Sequence, residues 1–193
     1  MKLIVGLGNP GRSYANNRHN VGFACVNHFA KAQGIRFDKK QAQARIGIGK
    51  VADNEVVVAR PQTYMNLSGE SVSRLIKKFN ISLDNLLVIH DDLDLPLGKI
   101  RIKRGLGWTG HKGVRSVIHS VTAEPGSKDL SFLRVGIGRP DKTPLTEDDI
   151  IAYVLSDFTP EERKAVNKAI PRVSEAISCL LTEDIVAAMN KYN

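Results

Sequence analysis

The chain has 193 residues, 42% apolar and 25% charged, which suits one domain whose core needs neither disulfides nor metal. No apolar run approaches the roughly 18–20 residues of a membrane span, and the N-terminus enters a strand without a signal or transit pattern, so a cytoplasmic protein with no membrane contact is expected. A net charge of +8 and a pI near 9.6 are unusual for an enzyme of neutral metabolites and favour a polyanionic partner.

In chain order, β-branched runs bounded by Gly, Pro, Asn or Asp predict strands over 2–7, 44–51, 55–60, 85–90, 99–103 and 132–137. Helical spacing of Phe23, Val26 and Phe29 predicts a helix over 21–34 closing on Gly34, and amphipathic patterns predict two more over 70–80 and 111–121. Thr159-Pro160-Glu161-Glu162 combines an N-cap, a proline at the first helical position and a capping-box glutamate, so the C-terminus is helical, with a kink or break at Pro171. Strands alternating with helices, with no repeat and no linker, predict a single α/β domain over 1–193. Its architecture is a three-layer α/β/α sandwich around a mixed, mostly parallel, twisted sheet. Cys25 and Cys179 lie in apolar helical patterns and read as reduced core residues.

The first strand runs into Gly6-x-Gly8-x-x-Gly11, the spacing of a dinucleotide fingerprint. Pro10 and the polar segment after it delay the helix, and the first acidic residue after Gly11 is Asp38, so that reading fails. What remains is a glycine-built turn at a strand's carboxyl end, with the amide of Asn9 free to donate and accept. His19 lies between that polar segment and the first helix. The strand LLVIHDD carries His90, Asp91 and Asp92 at its end, with Asp94 just beyond. If Asp91 contacts one nitrogen of His19, the other nitrogen becomes the acceptor and can take a proton from water, which makes a hydrolase without a covalent intermediate. The rival use of Asp91, Asp92 and Asp94 is a divalent metal site of a phosphoesterase. Asn66 and Ser68 follow a strand on the same expected edge and either cap the next helix or face the ligand. Lys99, Arg101, Lys103, Arg104, Lys112 and Arg115 form a stretch without acidic residues, and Arg101 and Lys103 share one strand face, which fits phosphate contacts. Trp108 lies in a glycine-rich loop over 105–113, which could stack on a base or cover the site.

VGLGNPG, Tyr14 followed by RHNVGF, TYMNLSGES, VIHDDLDLPLG, GHKG and RVGIGRP occur in order at spacings that resemble bacterial-type peptidyl-tRNA hydrolase over nearly the whole chain. The resemblance implies hydrolysis of the ester joining a peptide to the 3′ end of tRNA, on one α/β domain acting as a monomer without cofactor or metal. It implies that His19 is the base and Asp91 the carboxylate orienting it. Asn9 and Asn66 match the amides holding the peptide and the water or developing oxyanion, and Tyr14 and Met65 match residues lining the channel. Arg101, Lys103 and Arg134 match positions gripping the tRNA. Lys112 stands where many members have an asparagine that binds substrate; a lysine donates but cannot accept, which puts it closer to RNA phosphate. A binding-only RNA factor is the rival within the same resemblance.

Overall fold

The computed structural model describes residues 1–105, 110–122 and 130–193. The apolar run Lys2–Gly6 forms strand β1, buried at four of five positions, and becomes the hinge of the architecture. Helix α1 (Val21–Ala32) follows, then β2 (Lys39–Gln41), β3 (Ala44–Val51) and β4 (Asn54–Pro61). Helix α2 (Ser68–Phe79) leads to β5 (Leu86–Asp92), then β6 (Ile100–Arg104), α3 (Lys112–Val121) and β7 (Ser131–Gly136). The chain ends in α4 (Glu147–Val154), α5 (Pro160–Thr182) and α6 (Ile185–Tyr192). The sheet order is β2-β3-β4-β1-β5-β7-β6. Strands β4, β1, β5 and β7 run parallel, while β2-β3-β4 and β6-β7 pair antiparallel. From β1 the chain returns first on one side as β4 and later on the other as β5. A crevice therefore opens at the carboxyl ends of β1 and β5, where open α/β sheets bind ligands.

Two apolar layers enclose the sheet. Ile4, Val58, Ile89 and Leu133 pack against α1, α5 and α6, and Val5, Val57, Val88 and Phe132 pack against α2 and α3. Strand β5 is buried along its whole length, as expected of a central parallel strand, so Asp91 and Asp92 enter the crevice from a fixed base. The glycines of the opening turn serve close packing. A Cβ on Gly6 would lie 2.3 Å from the Gly22 carbonyl oxygen, and one on Gly22 would lie 2.5 Å from that of Ile89. Only paired glycines let α1 seat this deeply against β1 and β5.

The three-layer architecture and the six expected strands are present. Neither strand β2 nor helix α4 was expected. Of the kink or break expected at Pro171, there is no break: helix α5 continues through it. Val166 and Ala169 before the proline and Val173, Ala176 and Ile177 after it join the same buried cluster. That shared face outweighs the roughly 3 kcal/mol an interior proline costs. Both cysteines are buried and unpaired, and burial pushes the Cys25 thiol up to about 12, which leaves it an inert core group. Trp108 lies outside the described residues.

Candidate active site

His19 sits in a 3-10 turn, Arg18–Asn20, between β1 and α1. Its neighbours hold it from both sides. Arg18, 5% exposed, donates to Ser156 Oγ at 2.6 Å, the Asp157 carbonyl at 2.8 Å and Glu162 at 2.5 Å. Asn20 accepts from the Asn9 amide at 2.8 Å and donates to the Asn9 carbonyl at 2.9 Å. This pair of hydrogen bonds between the Asn20 side chain and the Asn9 backbone locks the glycine turn against the histidine turn. The Met65 backbone N–H donates to Asn9 Oδ1 at 2.7 Å, which fixes the orientation of the Asn9 amide. One lone pair of that oxygen is thus taken by the backbone, and the Asn9 NH₂ is held where it can donate to a ligand.

Asp91 receives two histidines. His19 Nδ1 lies 2.9 Å from Oδ1 and 3.0 Å from Oδ2, and His111 Nε2 lies 2.9 Å from Oδ1. Partners on the far side of His111 decide its tautomer. His111 Nδ1 accepts from the Gly113 and Val114 amides at 3.1 and 3.2 Å, capping α3, so its proton sits on Nε2 and goes to Asp91. Burial alone would raise the Asp91 carboxyl, but His19 and His111 more than offset it and hold it well below the usual carboxylate range. An ionised Asp91 accepts the Nδ1 proton of His19 and leaves Nε2 with its lone pair. Behind them His90 is 1% exposed; its Nδ1 donates to the Asp91 carbonyl at 2.7 Å, and its ring stands edge-on to His111, centroids 4.9 Å apart. Burial, then the neighbouring His111, push His90 down to about 3, so it stays neutral and adds no charge to the network.

These groups open into a cavity of about 600 Å³ lined by Asn9, His19, Tyr64, Met65, Asn66, Asp91, Gly110, His111 and Lys112. Its opposite wall is α4 with the residue after it, presenting Ile150, Ile151, Val154 and Leu155. Lys112 Nζ reaches Glu147 of α4 at 2.9 Å. The structure thus brings Asn9, His19, Met65, Asn66, Asp91 and Lys112 to one cavity. Tyr14 does not line it, and Lys112 is engaged by a carboxylate. Neither Asn66 nor Ser68 caps α2: the N-cap is Leu67, Ser68 Oγ donates back to the Met65 carbonyl at 2.8 Å, and Asn66 stays exposed. Arg101 and Lys103 are exposed on β6, while Arg134, in register with Arg101, gives its Nε to Asp92.

The sequence reading missed His111, Tyr64, Glu147 and the α4 wall. A histidine at the very start of a predicted helix, in Gly110-His111-Lys112, was the one signal for His111 as a cap. The carboxylate triplet does not converge. Asp92 pairs with Arg134, Asp94 pairs with Arg139, and Asp91 faces the histidines. The ligating atoms of His19, Asp91 and His111 do lie within 4.8 Å of one another, but the surroundings oppose a metal. A cation on His111 Nε2 would drive the ring proton onto Nδ1, at which two backbone N–H groups already point, whereas a ligating histidine needs an acceptor there.

A family model described as peptidyl-tRNA hydrolase matches residues 3–193. The chain is 47% identical over 193 residues to the peptidyl-tRNA hydrolase of Dehalococcoides mccartyi and 41% identical over 193 residues to that of Shouchella clausii, spanning all of each chain. Its fold matches the crystal structure of peptidyl-tRNA hydrolase from Acinetobacter baumannii with a TM-score of 0.90 at 34% identity, covering all of this chain and 94% of that one. On this evidence of full-length sequence and fold, the chain belongs to the peptidyl-tRNA hydrolase family.

Proposed function

We propose that the protein hydrolyses the ester between a peptide and the 3′ end of tRNA with water activated by His19. The observation that carries this reading is the His19–Asp91 contact at 2.9 Å with His19 on the cavity wall. Asp91 fixes the proton on Nδ1, so Nε2 takes a proton from water as the oxygen attacks the ester carbonyl. The NH₂ of Asn9, oriented by Met65, and the exposed amide of Asn66 donate to the oxygen on which negative charge develops. Collapse of that intermediate breaks the bond to the ribose 3′ oxygen. The proton held by His19 passes to this leaving oxygen, giving a free 3′ hydroxyl and a peptide carboxylic acid, which ionises by releasing water's second proton to solvent. His111 keeps Asp91 ionised and in place without taking up the proton itself, because its Nδ1 is occupied.

Arg101 and Lys103 offer cations to the tRNA backbone, with Arg134 anchored beside them by Asp92. Peptide side chains meet the apolar α4 wall. The protein acts as a single-domain monomer in the cytoplasm; among the described residues no helix is long and apolar enough to cross a membrane. The test is release of the N-acyl amino acid from an N-acyl-aminoacyl-tRNA, with chelator present, by wild type and His19→Ala. The expected result is turnover by wild type and a loss of about 10²- to 10⁴-fold in the variant with tRNA binding retained. Binding without turnover by the wild type would favour an RNA factor, and turnover abolished by the chelator would favour a metal enzyme.

A further inference from the structure

Three cations stand in one row across the sheet on the side away from Arg101 and Lys103. Lys40 of β2 is in register with Arg45 of β3, which is in register with Arg60 of β4. Register partners project to the same side, here the face covered by α1. Like charges placed directly opposite each other destabilise a sheet, and among the described residues none of the three has an ion-pair partner. Burial, then the adjacent Arg45, both work against the charged form of Arg60, and Arg60 Nε is buried without a hydrogen-bond partner. Lysines on an edge strand such as β2 are explained by protection against edge-to-edge pairing. That explanation does not reach Arg45 and Arg60, which lie on strands paired on both sides.

At its Arg60 end the row is flanked by two aromatics and leads to the catalytic turn. The Arg60 guanidinium lies 4.4 Å from the Phe37 ring centroid and 5.9 Å from that of Phe23. Phe23 in turn covers Gly8, where a Cβ would sit 2.7 Å from the ring, and Gly8 precedes Asn9 of the cavity. From Arg60 to Lys40 the row crosses two strand spacings, about 10 Å. A cationic track that ends at aromatic rings is what binds single-stranded nucleic acid: phosphates on the cations, a base at the rings.

We propose that Lys40, Arg45 and Arg60, with Phe23 and Phe37, form a second phosphate-binding row that receives the single-stranded 3′ end of the tRNA as it enters the His19 crevice. This rests on the hydrolase reading for the identity of the RNA. It assigns the substrate two separate holds, on opposite faces and opposite edges of the sheet, with the reacting ester between them.

The test combines Lys40→Gln with Arg45→Gln, which leaves the stacked Arg60 and every cavity residue in place. At 0.1 M salt the KM for N-acyl-aminoacyl-tRNA should rise roughly 5-fold per lost contact, and the salt slope of binding should shrink by about 0.7 per contact, with kcat unchanged. An N-acyl-aminoacyl-adenosine, which has no phosphodiester, should be hydrolysed as by wild type. tRNA trimmed of its single-stranded 3′ end should bind variant and wild type equally. Arg45→Lys should behave as wild type. Unchanged KM and salt slope would overturn the proposal, and so would an equal loss of affinity for intact and trimmed tRNA. Absence of turnover by the wild type would count against the hydrolase reading alone, because binding of intact and trimmed tRNA still decides the row.

Discussion

The end of β5 and helix α4 face each other across one crevice and are held by opposite means. Asp91 is 2% exposed, and its carboxylate is fixed by two rings whose own positions are set by backbone groups and neighbouring side chains. The N-terminal half of α4 is tied down at the surface, by Lys112 on Glu147, by Lys142 on Asp149 at 2.6 Å and by its own capping box from Thr146. Its C-terminal end is anchored more firmly, since Tyr153 donates to the Ile137 carbonyl at 2.7 Å and Arg18 grips the segment just beyond. The difference separates two tasks. The carboxylate that must hold a proton in one place stands at the buried end of a central strand, and groups that meet variable peptide stand on a surface helix.

Replacing Asp91 with Asn tests the buried side most severely. The amide Oδ1 can still accept from His19 and His111, so geometry survives while the charge that fixes the His19 tautomer is lost. A loss of about 10³- to 10⁴-fold in kcat is expected, with little change in tRNA affinity. If single-turnover measurements show less than a 10-fold loss, the buried network is scaffolding and the contrast with α4 collapses.

How much of this was legible in the sequence follows the same division. Strand β5 announced itself by an unbroken apolar run, and the pairing of His19 with Asp91 was legible as a condition on the residues and as an implication of the family resemblance. His111 could not be assigned that way: its tautomer depends on the Gly113 and Val114 amides, which are arranged only in the folded chain. Strand β2 is Lys39, Lys40 and Gln41, with no apolar alternation. Its turn into β3 places Ala42 and Gln43 at φ 50° and 55°, a left-handed geometry that Asn-Gly would have signalled. Helix α4 hides behind a first turn of Glu147, Asp148 and Asp149 and a capping box closed by Asp rather than the usual Glu or Gln.

His90 offers a second test, read in stability rather than rate. The unfolded chain protonates this ring near its ordinary 6.5 and the folded chain only near 3, so between those values the unfolded state binds more protons. The stability His90 contributes is complete above about pH 6.5 and falls as the pH drops toward 3. Asp91, whose carboxyl is lowered on folding, adds its own loss only below about pH 4. Between pH 7 and 4.5, urea unfolding of wild type should therefore lose roughly 2–3 kcal/mol to His90. His90→Leu, although less stable at neutral pH for want of the bond to the Asp91 carbonyl, should lose correspondingly less over the same window. An identical pH dependence in the variant would mean that the ring is not kept neutral by its burial.

The smallest effect belongs to the surface side. Lys112 and Glu147 meet at 2.9 Å with side chains 47% and 73% exposed, and hydrogen bonding to Lys112, then its charge, lower the Glu147 carboxyl. Water and salt screen such a pair. Glu147→Gln should therefore change kcat/KM by less than about 3-fold at low ionic strength and not at all near 0.5 M salt, with no shift in Tm. The sign of the low-salt change tells what Lys112 does when released. A lower KM means that Glu147 withholds a cation from RNA phosphate, and a higher KM means that the ion pair holds the α4 wall against the peptide. An effect above 10-fold that survives high salt would move α4 to the chemical side of the crevice. Positioning would then be shared between the two walls rather than lodged in the sheet.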